Sequence, residues 1–553
     1  MVTSQRTEPI DHVFPTLAQS HADRLRRYGE LRQVEAGETL LEPGTIDPHF
    51  YVVVDGSLEI VRETRDSETL IHVHLPGQFT GEANLLSGRR ALVRIRARER
   101  SEIIDIDRPQ LLRLLQTDSE IGEIVTRALI LRRAELIGRG YGDAVLVGSR
   151  HCAGTLRVRE FLTKNGHPFQ SIDLDTDDGV QELLDTFGIR SNDIPVLICR
   201  CEVVLRNPSN EEIADCLGFN ELVNLDQMRD VVIVGAGPSG MAAAVYAASE
   251  GLDALVVEMN APGGQAGSSS RIENYLGFPN GISGQELASR AWNQAQKFGA
   301  GLVVAKHATR LLCEKRPYAI EIDGGQRVAA RTIIIAAGAQ YRKPELPSLH
   351  EFEGAGVYYG ATFMEAQLCK DEEVAIVGGG NSAGQAAVFL ANIATHIHLF
   401  VRSRGLTDTM SRYLIRRIED NDRITLRTFT EITELQGERH LEGLTWRHAP
   451  TGDVEQRAIR HLFIMTGAAP STAWLEKCLV CDEKGFIKTG ADLTRDDLHA
   501  AEWPLARAPH TLETSLPGIF AVGDVRSGSM KRVASAVGEG AAAVALVHRA
   551  LRE

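Results

Sequence analysis

The sequence predicts an α/β protein with two Rossmann-like, three-layer nucleotide-binding domains, preceded by a β-barrel-like unit and a smaller α/β unit. Two glycine-rich turns, each between an apolar strand and an alanine-rich helix, predict the nucleotide-binding domains. Short alternating strands between about residues 14 and 101, followed by helical spacing, predict the barrel. With 553 residues the chain is too long for one core, and about 150 residues per domain gives three or four domains.

Composition and charge exclude several classes of protein. The formal net charge of −14 disfavours a general nucleic-acid binder. The polar N-terminal segment lacks the apolar stretch of a signal peptide, and the apolar runs are too short or too interrupted to span a bilayer. We therefore expect a cytoplasmic protein without a membrane span. Eight scattered cysteines do not make a disulfide scaffold, so we expect buried or redox-active thiols.

The N-terminal unit covers residues 14–139. Strand patterns such as Phe50–Val54 end at Asp55-Gly56, and apolar residues from Leu111 onwards take helical spacing. The run from Phe79 to Ala91 resembles the phosphate-binding segment of cyclic-nucleotide-binding domains.

That resemblance implies three ligand contacts, from Gly81, Glu82 and Arg90. Glu82 would accept a ribose hydroxyl, and Arg90 would pair with the cyclic phosphate. Leu92 stands where the family has a small residue against the phosphate. Nucleotide binding and a purely structural role are therefore open alternatives for this unit.

The middle unit covers residues 143–220 and predicts a strand–helix–strand–helix pattern that ends in an antiparallel pair and a last helix. The predicted elements are the strands 144–147 and 169–172, the helices 155–164 and 180–187, and the strand pair 194–198 and 202–205.

This unit resembles the glutaredoxin and thioredoxin folds. Cys152-Ala153-Gly154-Thr155 opens the first helix where that family has its active C-x-x-C, and Pro195 matches its cis-proline. A helix N-terminus stabilises a thiolate, so Cys152 is a candidate nucleophile. Because Thr155 replaces the second cysteine, only monothiol chemistry or a mixed disulfide is available. The alternative is a docking unit with an inert Cys152.

The first glycine-rich turn has the pattern G-x-G-x-x-G, with glycines at 235, 237 and 240 after an apolar strand. Gly235 makes the tight turn, Gly237 admits a pyrophosphate, and Gly240 allows the helix to pack on the strand. Glu258 ends the next strand, where a carboxylate accepts hydrogen bonds from a ribose diol. These features predict a dinucleotide site.

The second turn repeats this design with Gly378, Gly380 and, in place of the third glycine, Ala383. The motif between these positions includes Asn381 and Ser382. At the end of its second strand Arg402 and Arg404 replace the acidic residue, and two guanidinium groups favour a 2′-phosphate. We therefore expect NADPH rather than NADH here.

From about residue 229 to the end, the chain resembles the low-molecular-weight thioredoxin reductases. The supporting stretches are Gly263-Gly264-Gln265, Glu273-Asn274-Tyr275, Ala336-Ala337-Gly338, Thr466-Gly467 and the run from Gly518 to Asp524. The resemblance implies a FAD domain in two parts, 228–342 and 466–553, with an NADPH domain inserted at 343–465. It also implies a homodimer.

By the same resemblance, Gln265 and Asn274 lie near the flavin, and Asp524 holds the ribityl chain. Arg532 and Val533 cross the isoalloxazine end.

The family pattern is broken where its C-x-x-C passes electrons to thioredoxin. The matching positions are Gly360-Ala361-Thr362-Phe363, so the usual disulfide relay is absent. Another C-x-x-C, Cys478 to Cys481, falls on a loop away from the expected flavin face, where a chance pairing is favoured over a redox role. Cys369 is expected to be a buried small side chain.

We therefore expect an NADPH-dependent flavoprotein oxidoreductase in which hydride passes from NADPH to FAD and on to an unidentified acceptor, under regulation by a nucleotide. The acceptor is open between a thioredoxin-like disulfide protein, Cys152, a quinone, a metalloprotein and oxygen. One rival is a thioredoxin-disulfide reductase that uses Cys152 or the Cys478/Cys481 pair. The other is a redox or nucleotide sensor with incidental turnover.

Overall fold

The computed structural model describes residues 10–64, 67–82, 84–139, 142–149, 152–175, 193–199, 203–221, 223–269, 271–361, 363–438, 440–466, 468–475 and 478–553. Within these ranges no helix is long and apolar enough to cross a membrane.

The N-terminal unit contains two antiparallel sheets. In spatial order the first comprises Glu30–Val34, Ser101–Ile106 and Phe50–Asp55, and the second Thr39–Leu41, Arg94–Ala97, Leu58–Thr64 and Ser67–His74. The predicted antiparallel strands are present, and among the described residues they form these two sheets and no closed barrel. The chain leaves the first sheet at Asp55, turns at Gly56 with a φ of +81° and enters the second sheet at Leu58.

Helices close this unit at one end. They are Ile10–Val13, Gln19–Leu25, Asn84–Ser87, Arg108–Thr117 and Ser119–Gly138. Asp107 caps the fourth helix by accepting from the Gln110 N–H at 2.9 Å, and Asp118 caps the fifth by accepting from the Ile121 N–H at 3.1 Å. From the fifth helix, Arg132 Nη1 donates to the carbonyls of Phe79 and Gly81, both at 2.9 Å. The helix thereby holds the start of the predicted phosphate-binding segment.

The middle unit has a four-stranded mixed sheet. The strands, in spatial order, are Val203–Arg206, Val196–Cys199, Ala144–Gly148 and Phe169–Asp173, and the last two are parallel. The helices are Ala153–Lys164 and Asn210–Cys216. These elements confirm the predicted pattern, including the antiparallel pair and the last helix; the helix predicted at 180–187 lies outside the described residues. The peptide bond before Pro195 is cis, as the resemblance implied.

The first nucleotide unit is built on a seven-stranded sheet. Its parallel strands are Gly301–Val303, Ala254–Val257, Arg229–Val234, Arg327–Ile335 and Ile519–Ala521, and Tyr318–Ile322 and Ala308–Leu312 extend it antiparallel. Its helices are Pro238–Ser249, Gly264–Gly267, Gly284–Lys297, Arg495–Ala500 and Val533–Ala550. Val231 and Ile233 pack in a different apolar cluster from Val232 and Val234. Both faces of the sheet are therefore covered, which confirms the predicted three-layer architecture.

The second nucleotide unit has a five-stranded parallel sheet. The strands, in spatial order, are Val357–Tyr358, His461–Ile464, Glu373–Val377, His396–Phe400 and Ile424–Arg427. An antiparallel sheet, Thr430–Gln436, Gly443–His448 and Val454–Arg457, accompanies it. The helices are Phe363–Leu368, Asn381–Leu390 and Arg412–Glu419.

A two-stranded antiparallel ribbon, Ala339–Tyr341 with Ala468–Pro470, connects the two nucleotide units. Short 3-10 helices occur at Asp323–Gly325, Leu349–Glu351, Ala473–Leu475, Gly490–Asp492 and Gly523–Val525.

Candidate functional site

The first glycine-rich turn has the shape that a pyrophosphate requires. Gly235 has a φ of +101°, and a Cβ at this position would overlap the carbonyl oxygen of Ala336. A Cβ on Gly240 would overlap the turn itself, whereas a Cβ on Gly237 would meet its nearest neighbouring atom only at 4.0 Å. The helix Pro238–Ser249 begins without a side-chain cap. Its first N–H groups are thus left for an anionic ligand, and the turn fits FAD.

Glu258 lies against this turn, directly after the strand Ala254–Val257. Its side chain is buried, and its carboxylate accepts from the Ala236 N–H at 2.7 Å and the Asn260 N–H at 2.9 Å. Burial raises the pKa of this carboxyl, although the two backbone N–H groups oppose the shift. The turn and the acid are therefore one bonded unit, while the contact of Glu258 with a ribose remains a prediction.

Asp524 lies in a 3-10 turn that a distant glutamate stabilises. Glu539 accepts from the Gly523 N–H and from Arg526 Nη2, both at 2.6 Å. Burial raises the pKa of Asp524, and the nearby Lys531 opposes this shift. Sequence reasoning missed Glu539, because a glutamate inside the helix Val533–Ala550 carries no local sign of its partners.

The other residues predicted around the flavin lie on separate elements. Gln265 Nε2 donates to the carbonyl of Ala339, which ties the helix Gly264–Gly267 to the connecting ribbon. Asn274 is exposed on a surface loop. Arg532 precedes the helix that starts at Val533, and this helix start also lacks a side-chain cap. Its N–H groups are left for an electronegative atom of a ligand.

The second glycine-rich turn has similar geometry. A Cβ on Gly378 would overlap the carbonyl oxygen of Met465, whereas a Cβ on Gly380 would meet no atom within 4 Å. The helix Asn381–Leu390 starts at Gly380 without a side-chain cap, and Ala383 is fully buried. An alanine therefore suffices for the close packing that a glycine provides in the first turn.

Val401 stands where the first unit has Glu258, and two exposed arginines follow it. Arg402 and Arg404 follow the strand His396–Phe400 and the buried Val401. The side chain of Asn381 already has a partner within the protein, because its Oδ1 accepts a hydrogen bond from the Ser411 N–H at 2.7 Å. The donor set near this strand end is cationic and fits a 2′-phosphate.

A cavity of about 690 Å³, called the common cavity below, is bordered by both nucleotide units. Its wall combines residues of both nucleotide units and of the middle unit, among them Gly264, Gln265, Ser268, Ser382, Gln385, Ala386, Ala153, Gly154 and Leu156. The cavity therefore lies where the two nucleotide units and the middle unit come together.

Comparisons with known proteins agree with this geometry. The family model for pyridine nucleotide-disulphide oxidoreductases matches residues 229–540, more than half of the chain. The chain belongs to this family.

Relatives within the family are thioredoxin reductases. The enzyme of Bacillus subtilis (strain 168) is 31% identical over 331 residues, covering 59% of this chain and 96% of the relative. That of Escherichia coli O157:H7 is 32% identical over 315 residues, covering 56% and 92%. Among solved structures, Lactococcus lactis thioredoxin reductase (FR conformation) has a TM-score of 0.52 at 28% identity, covering 58% of this chain and 99% of that one. T. acidophilum thioredoxin reductase has a TM-score of 0.52 at 26% identity, covering 59% and 99%.

These matches confirm the predicted class. This member of the pyridine nucleotide-disulphide oxidoreductases is an NADPH-dependent flavoprotein oxidoreductase that uses FAD and NADPH. A second family model, for the cyclic nucleotide-binding domain, matches residues 31–118 and confirms that resemblance for the N-terminal unit. The glutaredoxin resemblance of the middle unit stays a prediction.

This oxidoreductase lacks sulfur at the expected relay position. Gly360 and Ala361 line the cavity, and Phe363 opens a helix; Thr362 lies outside the described residues. Cys369, in the same segment, is fully buried as expected, and burial raises the pKa of its thiol.

The expectation that the cysteines form no disulfide was wrong at one place. Cys313 and Cys478 are bonded, with their Cα atoms 6.3 Å apart and a separation of 165 positions in sequence. Cys313 follows the strand Ala308–Leu312, which packs against the 3-10 helix Ala473–Leu475. Cys481 is left as a free thiol whose pKa is raised by burial. The C-x-x-C is therefore not a dithiol pair, because Cys478 is bonded to Cys313 and is not available for a relay with Cys481.

Cys152 stands at the start of the helix Ala153–Lys164, as predicted, and is partly buried. A Cβ on Gly154 would meet Pro195 at 2.8 Å, so the cis-proline lies against the first turn of this helix. A Cβ on Gly354 would meet Ala153 at 2.8 Å. The helix start thus contacts the second nucleotide unit.

In the N-terminal unit two of the three predicted ligand contacts line a cavity, and the third does not. Gly81, with a φ of +99°, and the buried Glu82 line a cavity of about 70 Å³. Glu82 accepts from the Asn84 N–H at 3.0 Å and pairs with Arg133 at 3.3 Å. Arg90 instead forms an ion pair with Glu221.

Proposed function

We propose that FAD lies on the turn Gly235–Gly240, with Glu258 at its ribose and Asp524 at its ribityl chain. NADPH lies on the turn Gly378–Ala383, with Arg402 and Arg404 at its 2′-phosphate. When both are bound, the nicotinamide supplies a hydride that the flavin accepts. The common cavity supports this function above all, because walls from both nucleotide units surround one space of about 690 Å³.

The chain's own contribution is binding, orientation and exclusion of water. The uncapped helix starts after Gly237 and Gly380 offer N–H groups and the positive ends of helix dipoles to the pyrophosphates. The bonds from Ala236 and Asn260 fix the Glu258 carboxylate in one orientation. Holding two reactants in one geometry lowers the activation free energy by about 7–11 kcal/mol in favourable cases.

The same assignment implies that the FAD domain consists of two parts of the chain. We propose that the NADPH domain spans residues 343–465 and is inserted between FAD-domain parts 228–342 and 466–553. The antiparallel ribbon Ala339–Tyr341 with Ala468–Pro470 supports these limits. By the family resemblance we also propose a homodimer in the cytoplasm.

The decisive experiment is anaerobic stopped-flow reduction of the FAD-loaded chain, followed by an acceptor screen. We expect NADPH to bleach the flavin absorbance rapidly. The screen should include thioredoxin, small disulfides, quinones, metalloproteins and oxygen. Absence of bleaching at millimolar NADPH would contradict the function.

For the acceptor we propose Cys152 of the middle unit, in a thioredoxin-like fold. Two of its neighbours, Ala153 and Gly154, line the common cavity, and the sheet order supports the fold. A mixed disulfide between Cys152 and a small thiol would take up two electrons and two protons and release both thiols. The names of the relatives indicate thioredoxin as their acceptor. In this chain Gly360 and Phe363 occupy the positions of the two cysteines that would pass electrons to it.

A second candidate function is that of a nucleotide sensor. The cyclic nucleotide-binding match over residues 31–118 favours it. Slow NADPH oxidation with every acceptor, together with nucleotide binding, would support the sensor over the reductase.

A further inference from the structure

The arginine expected to contact a cyclic phosphate is bound by another part of the chain. Arg90 Nε donates to Glu221 Oε2 at 2.8 Å, and Arg90 Nη2 donates to Glu221 Oε1. The Arg90 side chain is 14% exposed and that of Glu221 30%, so the pair is partly shielded from water. A guanidinium fork binds a carboxylate and a phosphate with the same two N–H groups. The two anions therefore exclude one another at Arg90.

The segment that carries Glu221 contacts the N-terminal unit and the first nucleotide unit. This joining segment, residues 217–221, follows the helix Asn210–Cys216 and precedes the first nucleotide unit. Phe219 lies 4.2 Å below the Arg89 guanidinium. Asn220 donates to the carbonyl of Val304 at 3.0 Å and accepts from its N–H at 2.9 Å.

Val304 lies next to the predicted ribose contact of the first nucleotide unit. The Glu258 N–H donates to the carbonyl of Val303 at 2.9 Å, and the Lys306 N–H donates to the carbonyl of Glu258 at 3.1 Å. A displacement of the joining segment would therefore act on the backbone that positions Glu258.

Two residues that line the N-terminal cavity each have a buried nitrogen atom without a hydrogen-bond partner among the described residues. His74 is 1% exposed and Arg132 is 6% exposed, and both line the cavity. Neither His74 Nδ1 nor Arg132 Nη2 has a hydrogen-bond partner among the described residues. Buried nitrogen atoms without partners destabilise a protein unless a ligand or water supplies a bond.

The cavity is also too small for a nucleotide in its present form. Its volume is about 70 Å³, and an apolar cavity of about 150 Å³ holds one benzene. A nucleotide therefore requires the wall formed by Glu82, Ala91 and Leu92 to move. Arg90, next to Ala91, is held by Glu221, so the ion pair opposes this movement.

We propose that Arg90 is an exchangeable contact, for which the phosphate of a cyclic nucleotide and the Glu221 carboxylate compete. Nucleotide binding breaks the Arg90–Glu221 pair, releases the joining segment and weakens the hold of Asn220 on Val304. The N-terminal cavity is thereby coupled to the FAD site. The inference rests on the proposed FAD site and on nucleotide binding by the N-terminal unit.

The first test is calorimetric titration of the FAD-loaded full chain with cyclic AMP and cyclic GMP. Glu221→Gln removes the competing charge, so this variant should bind the preferred nucleotide about tenfold more tightly than the unmodified chain. Asp226→Asn is the matched control, since it removes one charge from the connecting chain five positions away; its affinity should be unchanged. Arg90→Gln should weaken binding. Equal affinities of Glu221→Gln and the unmodified chain, or no binding heat in any variant, would overturn the inference.

The second test measures FAD release by the fluorescence of free FAD after dilution. Cyclic nucleotide should accelerate release about fivefold, a typical coupling between two sites. Asn220→Ala keeps the Arg90–Glu221 pair but removes both bonds to Val304, so nucleotide should still bind while its effect on release is lost. An unchanged release rate in the unmodified chain would overturn the coupling. Bleaching of the flavin by NADPH is recorded separately. If the flavin bleaches but neither the affinity change nor the faster FAD release is seen, only this inference is contradicted. If the chain binds cyclic nucleotide but the flavin does not bleach, the proposed reductase is contradicted.

Discussion

At the residue scale, we expect the exchange of an acid for arginines to decide which nicotinamide nucleotide is used. Glu258 ends the second strand of the first nucleotide unit, whereas Arg402 and Arg404 follow the corresponding strand of the second. A carboxylate at this position repels a 2′-phosphate, and a guanidinium binds it.

We expect the Arg402→Ala/Arg404→Ala variant to lose most of the preference for NADPH over NADH in flavin reduction. Each charge-assisted bond to a phosphate contributes about 1.5–3 kcal/mol. Stopped-flow rates with both nucleotides measure the preference. Arg447→Ala is the control, because Arg447 pairs with Glu431 on the antiparallel sheet of the same unit. Equal rates with NADPH and NADH in the unmodified chain would contradict the assignment.

Single residues also show where sequence reasoning stops. The glycines of both turns were predictable, because a turn between strand and helix imposes local constraints that only small residues meet. The Arg90–Glu221 and Arg526–Glu539 pairs were not predictable, because the local sequence around a charged residue does not indicate which distant residue the fold places beside it. The ion pair of Arg90 joins positions 131 apart in sequence.

At the element scale, sequence patterns predicted the described strands and helices of the middle unit and the strand–turn–helix order at both glycine-rich turns. The division of the N-terminal strands into two sheets was not predictable, because strand pairing joins residues that are far apart in the sequence. The same holds for Cys313 and Cys478, which become neighbours only when the strand Ala308–Leu312 packs against the 3-10 helix Ala473–Leu475.

The disulfide should stabilise the first nucleotide unit. In the chain-entropy model, a cross-link over a loop of this length contributes up to about 5 kcal/mol. We expect Cys313→Ser and Cys478→Ser to lower the thermal midpoint of the FAD-loaded chain by several degrees and to abolish its sensitivity to dithiothreitol. Cys481→Ser is the matched control and should leave both unchanged. An unmodified chain whose midpoint does not respond to dithiothreitol would contradict this prediction.

Because sulfur is missing near residue 360, we expect a low electron capacity at the flavin site. Because Gly360 and Phe363 occupy the relay positions, anaerobic titration with NADPH should stop at two electrons per flavin. A coupled dithiol would take up two more electrons. Cys478→Ser and Cys152→Ser should leave the count unchanged when no mixed disulfide is preloaded. A count of four that falls in Cys152→Ser would place a second redox centre in the middle unit.

At the scale of the whole molecule, the middle unit covers one side of the common cavity. Lys164 Nζ donates to Ser268 Oγ at 3.1 Å, and Gln285 Nε2 donates to the carbonyl of Thr163 at 3.0 Å. These bonds fix the helix Ala153–Lys164 on the first nucleotide unit. A protein acceptor must displace this wall, while a small molecule need not.

We therefore expect NADPH oxidation with thioredoxin to be at least about tenfold slower than with ferricyanide, a factor that corresponds to 1.4 kcal/mol. Lys164→Ala/Gln285→Ala removes both fixing bonds and should reduce this difference. Lys315→Ala, at an exposed site of the first nucleotide unit, is the control. Steady-state rates measure the ratio; fast turnover with thioredoxin in the unmodified chain would show that the wall does not restrict access.

The split of the first nucleotide sheet also orders events on the ribosome. The strand Ile519–Ala521 pairs with Ile333–Ile335, so the sheet is incomplete until synthesis has passed residue 521. At about 5–20 residues per second, the nascent chain waits roughly 10–40 s between these two strands. During this interval the inserted unit, whose five parallel strands all precede residue 465, can fold first. Flavin capture is then the closing step of biosynthesis, and a chain interrupted before residue 519 should emerge colourless.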